Sequence, residues 1–99
     1  MLEIRQTDVF RNWLLQLSDI RAAARIQARI DRFALGNAGD TKSVGDGVHE
    51  MRIDHGPGYR VYYVRRGRVV VILLCGGDKS TQERDIVRAK RIARELKEK

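Results

Sequence analysis

The chain is poor in several residue types that carry specialised chemistry: among 99 residues it has one cysteine, one proline and two histidines. The lone Cys75 excludes an internal disulfide and any cysteine-built zinc or iron–sulfur centre, and it suits a reducing compartment. With Pro57 the only proline, no proline-rich linker divides the chain, and neither a repeat nor a low-complexity tract interrupts it. No window approaches the roughly 18 uncharged apolar residues of a membrane-spanning helix. The opening Met1-Leu2-Glu3-Ile4-Arg5 lacks the layout of a secretory signal, so the expectation is a cytoplasmic protein that engages no membrane. His49 and His55 lack H-E-x-x-H spacing and the acids are scattered singly, so neither a metal nor another cofactor is expected. No serine lies in a G-x-S-x-G setting, and Cys75, ending an apolar run, reads as a small buried hydrophobe.

What the chain does have is positive charge. Twenty Lys+Arg against thirteen Asp+Glu give +7, and the excess is uneven: residues 1–49 carry +1 and residues 50–99 carry +6. A basic field on one part of a small domain attracts polyanions through counterion release, which puts nucleic acid or an acidic protein first among partners. The length allows one domain, residues 1–99, around one core.

Hydrophobic period divides that domain into elements. Leu2 and Ile4 alternate with Glu3 and Arg5 as in a short edge strand, after which Thr7 or Asp8 can cap a helix carrying Phe10, Trp13, Leu14 and Leu17. Ser18-Asp19 opens a second helix with Ile20, Ala23, Ile26, Ile30 and Phe33 on one stripe and Gly36 placed to end it. Residues 36–47, rich in Gly, Asn and Asp, read as a long mobile loop. From Val48 the period is two: His49, Met51 and Ile53 share one face, and Val48, Glu50 and Arg52 the other. His55-Gly56-Pro57-Gly58 is a turn, Tyr59 to Val64 a strand, Arg65 to Arg68 a tight turn, and Val69 to Cys75 a strand apolar on both faces. Gly76-Gly77-Asp78-Lys79 then links to a last helix whose Ser80-Thr81-Gln82-Glu83 has capping-box spacing. Ile86, Ala89, Ile92, Ala93 and Leu96 form its narrow apolar face. The expected architecture is α+β, in the order β-α-α-β-β-β-α, with a mostly antiparallel sheet.

Three cations stand out. Arg52 and Arg60 occupy successive strands and point away from the apolar rows, and Lys79 sits at the end of the neighbouring strand, so all three can meet on one polar face about one phosphodiester wide. Free backbone N–H groups at the start of the last helix, beside Lys79, can hold a phosphate, but the segment by itself favours the plainer reading in which Gly76 and Gly77 merely turn the chain and Lys79 is solvated. The competing reading is that Glu50, Asp54 or Asp78 pairs with these cations at the surface, each pair worth at most about 1 kcal/mol. His49, on the Met51 row, reads as a half-buried packing residue, and His55 in its turn as structural or functional with equal weight. Tyr59, Tyr62 and Tyr63 can stack on bases or pack across strands.

With these residues in view, the chain resembles the RelE/ParE toxin superfamily, most closely its HigB-like addiction-module killer proteins. The resemblance runs nearly the full length. It is carried by Glu50-Met51-Arg52-Ile53, by Gly56-Pro57-Gly58-Tyr59-Arg60-Val61-Tyr62-Tyr63, and by Leu74-Cys75-Gly76-Gly77-Asp78-Lys79-Ser80-Thr81-Gln82 with Asp85-Ile86 and Ala89-Lys90 behind it. It implies the toxin of a bacterial type II toxin–antitoxin pair: a metal-independent endoribonuclease cutting messenger RNA on the ribosome by attack of a ribose 2′-OH on the adjacent phosphate. Such chemistry needs a base, cations for the phosphorane and an acid for the leaving 5′-oxygen. The resemblance gives Arg60 and Lys79 the cationic and acid roles, with Arg52 as a third basic residue and Asp85 or His49 as candidate bases. Contacts to the message fall to His49, His55, Tyr62, Arg65, Gln82 and Arg84. The chain departs from the RelE pattern in having only Arg52 basic on the strand over 49–53, and no tyrosine in the last helix.

The implied partners are a cognate antitoxin, expected to be a helix-turn-helix protein, with messenger RNA and the ribosome; operator DNA is reached only through the antitoxin. Two alternatives remain: a ParE-like poison of DNA gyrase, and a non-catalytic relative that only binds its antitoxin. The nuclease reading requires Arg60 and Lys79 on the same side of the molecule, with neither buried against a carboxylate.

Overall fold

Thr7 does two jobs at the junction of the first strand and the first helix. In the computed structural model, which describes residues 1–97, its hydroxyl accepts from the Phe10 N–H (3.0 Å) and donates to the Leu74 carbonyl (2.6 Å). It thus caps α1 (Asp8–Leu15) and docks the end of β1 (Glu3–Gln6) onto the sheet. Asp19 caps α2 (Ile20–Ala34) through the Arg21 and Ala22 N–H groups. The helix ends in a Schellman motif: Gly36, at φ 104°, donates to Phe33 O, and Asn37 donates to Arg32 O. The remaining elements are β2 (Thr41–Gly45), β3 (Val48–Ile53), β4 (Tyr59–Arg66), β5 (Val70–Asp78) and α3 (Gln82–Lys97), the last entered through a 3₁₀ turn over Lys79–Thr81.

The fold is α+β, with a five-stranded mixed sheet in the order β1-β5-β4-β3-β2. Only β1 pairs in parallel, against β5; the others form an antiparallel meander. Helices cover both faces. On one, Phe10, Ile26, Ile30 and Phe33 pack on Met51, Ile53, Val61, Tyr63, Val71 and Leu73; on the other, Ala89 and Ala93 of α3 lie over Val48, Tyr62, Val64, Leu74 and Cys75. The small side chains of Ala89 and Ala93 let α3 pack closely on the sheet.

Four expectations need correction. Residues 36–47 are not all loop: β2 forms within them, closed onto β3 by Asp46-Gly47, both at positive φ (56° and 78°), as a two-residue hairpin turn requires. Gly76-Gly77-Asp78 is not a linker but the end of β5, still paired with β4 through Gly76↔Val61, Gly77↔Arg60 and Asp78↔Tyr59. The capping box sits earlier than Ser80–Glu83, between Asp78 and Thr81. Ile20 is 82% exposed, and the buried alanine of α2 is Ala22; the buried stripe begins two residues later than its spacing suggests.

A bulge in β5 sets the site. Tyr62 pairs with Cys75 and Tyr63 with Leu73, so Leu74 is the extra residue. Leu74 and Cys75 both pack toward α3, and the alternation after them is inverted. Gly76 therefore lies against Trp13 and Gly77 against Asp85, each so close that a Cβ would overlap the neighbouring side chain.

Candidate functional site

The register of β3 and β4 places Arg52 opposite Arg60 and Glu50 opposite Tyr62, all on the face that α3 covers. Asp78 ends β5 beside Tyr59, and its carboxylate accepts from the Ser80 N–H (2.8 Å) and hydroxyl. These bonds, the Ser80 hydroxyl foremost, hold the Asp78 carboxyl below its ordinary range and fix the turn that carries Lys79. Arg60 and Lys79 then flank Gly58: a Cβ on that residue, at φ 80°, would lie 3.4 Å from Arg60 Nη1 and 3.6 Å from Lys79 Cβ. With Arg52, Asp40 and Asp54 they line an open cleft of about 410 Å³. The expected convergence of Arg52, Arg60 and Lys79 is therefore present in the geometry.

Their charges are not all free. Arg52 Nη2 lies 2.8 Å and Nε 3.2 Å from Asp40 Oδ1, a pair closed by the Arg52 N–H donating to Asp40 O. Arg29 braces the same loop, donating to Arg52 O (2.6 Å) and Ala38 O (3.1 Å). Arg60 donates through Nη1 to Gly58 O (3.0 Å) and turns its Nε toward Glu50 Oε1 at 3.5 Å. Glu50 is 1% exposed and the Arg60 side chain 12%, so this pair is buried. Here the requirement stated from the sequence is met in one half and fails in the other. The two cations share a side, but Arg60 is packed against a carboxylate. The opposing carboxylates expected at the surface are partly right in kind and different in place: Glu50 is interior, and Asp40 rather than Asp54 or Asp78 pairs with Arg52. Lys79 is the exposed cation of the three.

Glu50 is the residue whose importance the sequence did not signal. Its Oε2 accepts from Gln82 Nε2 (2.8 Å) and the Tyr62 hydroxyl (3.3 Å), while Oε1 faces Arg60 Nε, and neither of those two atoms has another partner. Burial, then the charges of Glu50 and Asp85, push the Tyr62 phenol far up its scale, so it remains a donor. The alternating pattern at Val48, Glu50 and Arg52 showed a shared face, but nothing local said that α3 would cover it.

The other candidates fall in three places. Tyr62 is fully buried beneath α3 and is not placed to stack on a base; Gln82 holds Glu50; Asp85 is 5% exposed and accepts from Thr81 Oγ1, away from the cleft opening. His49 lies on the opposite sheet face, stacked on Tyr63 with ring centroids 5.4 Å apart, and His55 pairs with Asp19 at 3.2 Å. Arg84 is exposed at the start of α3, and Arg65 is exposed at the far end of β4. Among the described residues no group of three or more His, Cys, Asp or Glu is placed to hold a metal ion, and no helix is long and apolar enough to cross a membrane.

Comparison with known proteins gives a family and one relative. The model for phage-derived Gp49-like proteins (DUF891) matches residues 12–98. An uncharacterized protein of Haemophilus influenzae is 56% identical over 95 residues, which is 96% of each chain. No solved structure matches.

Proposed function

Since the chain belongs to the Gp49-like family of phage-derived proteins, we propose that it is a toxin that cleaves messenger RNA on the ribosome, in the manner of the HigB-like branch. The family is associated with toxin–antitoxin systems as RelE-like toxins, and a toxin of that kind has an antitoxin partner. The observation that carries the finer reading is the gathering of Arg60, Lys79 and Arg52 from β4, the 3₁₀ turn and β3 around one cleft.

In this cleft a message would present one phosphodiester to Lys79 and to the outer edge of Arg60. The ribose 2′-oxygen attacks phosphorus, its proton passes to a base, the bond from phosphorus to the 5′-oxygen breaks, and that oxygen takes a proton from an acid. Lys79 is assigned to the charge of the phosphorane and to the leaving oxygen. Arg60, held on its inner edge by Glu50, fails the requirement that neither cation be buried against a carboxylate, so the proposal rests on Lys79 as the exposed cation, with Arg60 a fixed donor through its outer edge. Asp54, exposed at the cleft wall, is assigned the 2′-OH proton in place of His49 and Asp85, which lie on the opposite face and in the interior.

A specific observation favours a second reading, a non-catalytic relative that binds only its antitoxin. Arg52 and Arg60 are each paired with a carboxylate, so the three cations stand against Asp40 and Asp54 in the cleft and Glu50 beneath it. Induction of the protein alone in bacteria separates the readings. Growth arrest with truncated, translated messages supports the nuclease, intact messages with DNA damage a gyrase poison, and normal growth the antitoxin-binding relative.

A further inference from the structure

A second concentration of positive charge lies away from the cleft. Arg65 and Arg66 at the end of β4 and Lys90, Arg94 and Lys97 on α3 line a groove of about 460 Å³, against one carboxylate, Asp46. The Lys90 ammonium is 3.9 Å from Asp46 Oδ2, and Arg66 reaches the Ala93 carbonyl at 3.5 Å. Arg65, Arg94 and Lys97 have no ion pair among the described residues. Among the described residues, five cations held against one acid repel one another. The dipole of α3 accounts for Arg94 and Lys97 in its last turn. It does not account for Arg65 and Arg66, which come from the sheet.

We infer that this groove is a second contact for the sugar–phosphate backbone of RNA, separate from the cleft and independent of cleavage. Two observations choose RNA over an acidic protein segment. The apolar residues of the groove, Val64 and Ala93, are 4% and 7% exposed, so aliphatic anchors of a protein partner would find nothing to pack on. A phosphate backbone needs none, and three guanidinium groups offer it paired donors. Arg60 and Arg66 emerge at opposite ends of the β4 face that α3 covers, roughly 20 Å apart along the strand, so the groove is a contact separate from the cleft and not a continuation of it.

The experiment is equilibrium binding of the purified protein to a short labelled RNA duplex across a salt series. Replacing Arg65 and Arg94 by alanine is expected to weaken binding at low salt at least tenfold and to lower the log–log salt slope by about 1 per cation removed. The Arg65→Lys/Arg94→Lys double variant keeps the slope. Arg21→Ala/Arg25→Ala, which removes the same charge from exposed positions of α2, changes both quantities far less. Equal losses from the groove and α2 doubles overturn the inference, since net charge alone would then explain them. Unchanged binding by the groove double overturns it too, as does tighter binding of a polyglutamate peptide than of RNA at the same salt. A wild-type protein that binds RNA but leaves messages intact contradicts the proposed nuclease and not this groove.

Discussion

Arg52 and Arg60 face each other directly across β3 and β4, and each turns to a carboxylate of its own, Asp40 at 2.8 Å and Glu50 at 3.5 Å. Two like charges in opposed positions would by themselves loosen the strand pair. The two acids relieve that repulsion in different surroundings, one at the surface and one in the interior, and the difference yields a prediction.

Removing the interior partner should be costly. Glu50→Ala leaves Arg60 Nε and the Tyr62 hydroxyl without an acceptor beneath α3 and is expected to destabilise the fold by about 3 kcal/mol or more. Asp40→Ala, which breaks a pair with both side chains well exposed, should cost less than about 1 kcal/mol. Urea denaturation at unchanged m checks both, and equal costs would contradict the buried placement of Glu50.

Acid should weaken the entry to α2 through Asp19. The Ala22 N–H, then His55, hold its carboxyl below the ordinary value of 3.8. A group whose folded value is depressed adds stability that is complete above the unfolded value and is lost as pH falls through the folded one. Melting temperatures should therefore fall below about pH 4, and Asp19→Asn should flatten that part of the profile. A variant that follows the wild-type curve would contradict this assignment.

The bulge at Leu74 aims Gly76 at Trp13 and leaves no room for a methyl group. Gly76→Ala is expected to cost about 1–3 kcal/mol through overpacking. In the Trp13→Ala background the penalty should shrink, and a double-mutant cycle in the melting free energies measures that coupling.

Cys75 gives a probe of opening. Burial pushes its thiol up to about 12, so at neutral pH the native protein presents no thiolate. Alkylation should proceed only through unfolding, at a rate that rises with urea. Rapid labelling of the folded protein at neutral pH would contradict the interior position.

Much of the fold was legible in the sequence, and the misses have identifiable causes. The two-period of Val48 to Ile53, the stripe of α2 and the capping residues Thr7 and Asp19 are local signals, and the structure uses them as local rules imply. The hairpin of β2 and β3 carried its own signal in Asp46-Gly47, but the surrounding glycines and polar residues looked like an unstructured loop. The bulge left no local mark, because Val70 to Cys75 is apolar at every position and tolerates either alternation. At the site, the convergence of Arg52, Arg60 and Lys79 followed from strand order. The burial of Glu50 did not, since it depends on α3 lying close over the sheet through Ala89 and Ala93.

The most direct test is to map message ends after translation with the purified protein present. Wild-type protein is expected to leave fragments ending in a cyclic phosphate, with 5′-hydroxyl partners. Lys79→Ala, exposed and therefore neutral for folding, should leave messages whole at an unchanged melting temperature. Undiminished cutting by Lys79→Ala, or intact messages with the wild-type protein, would contradict the account.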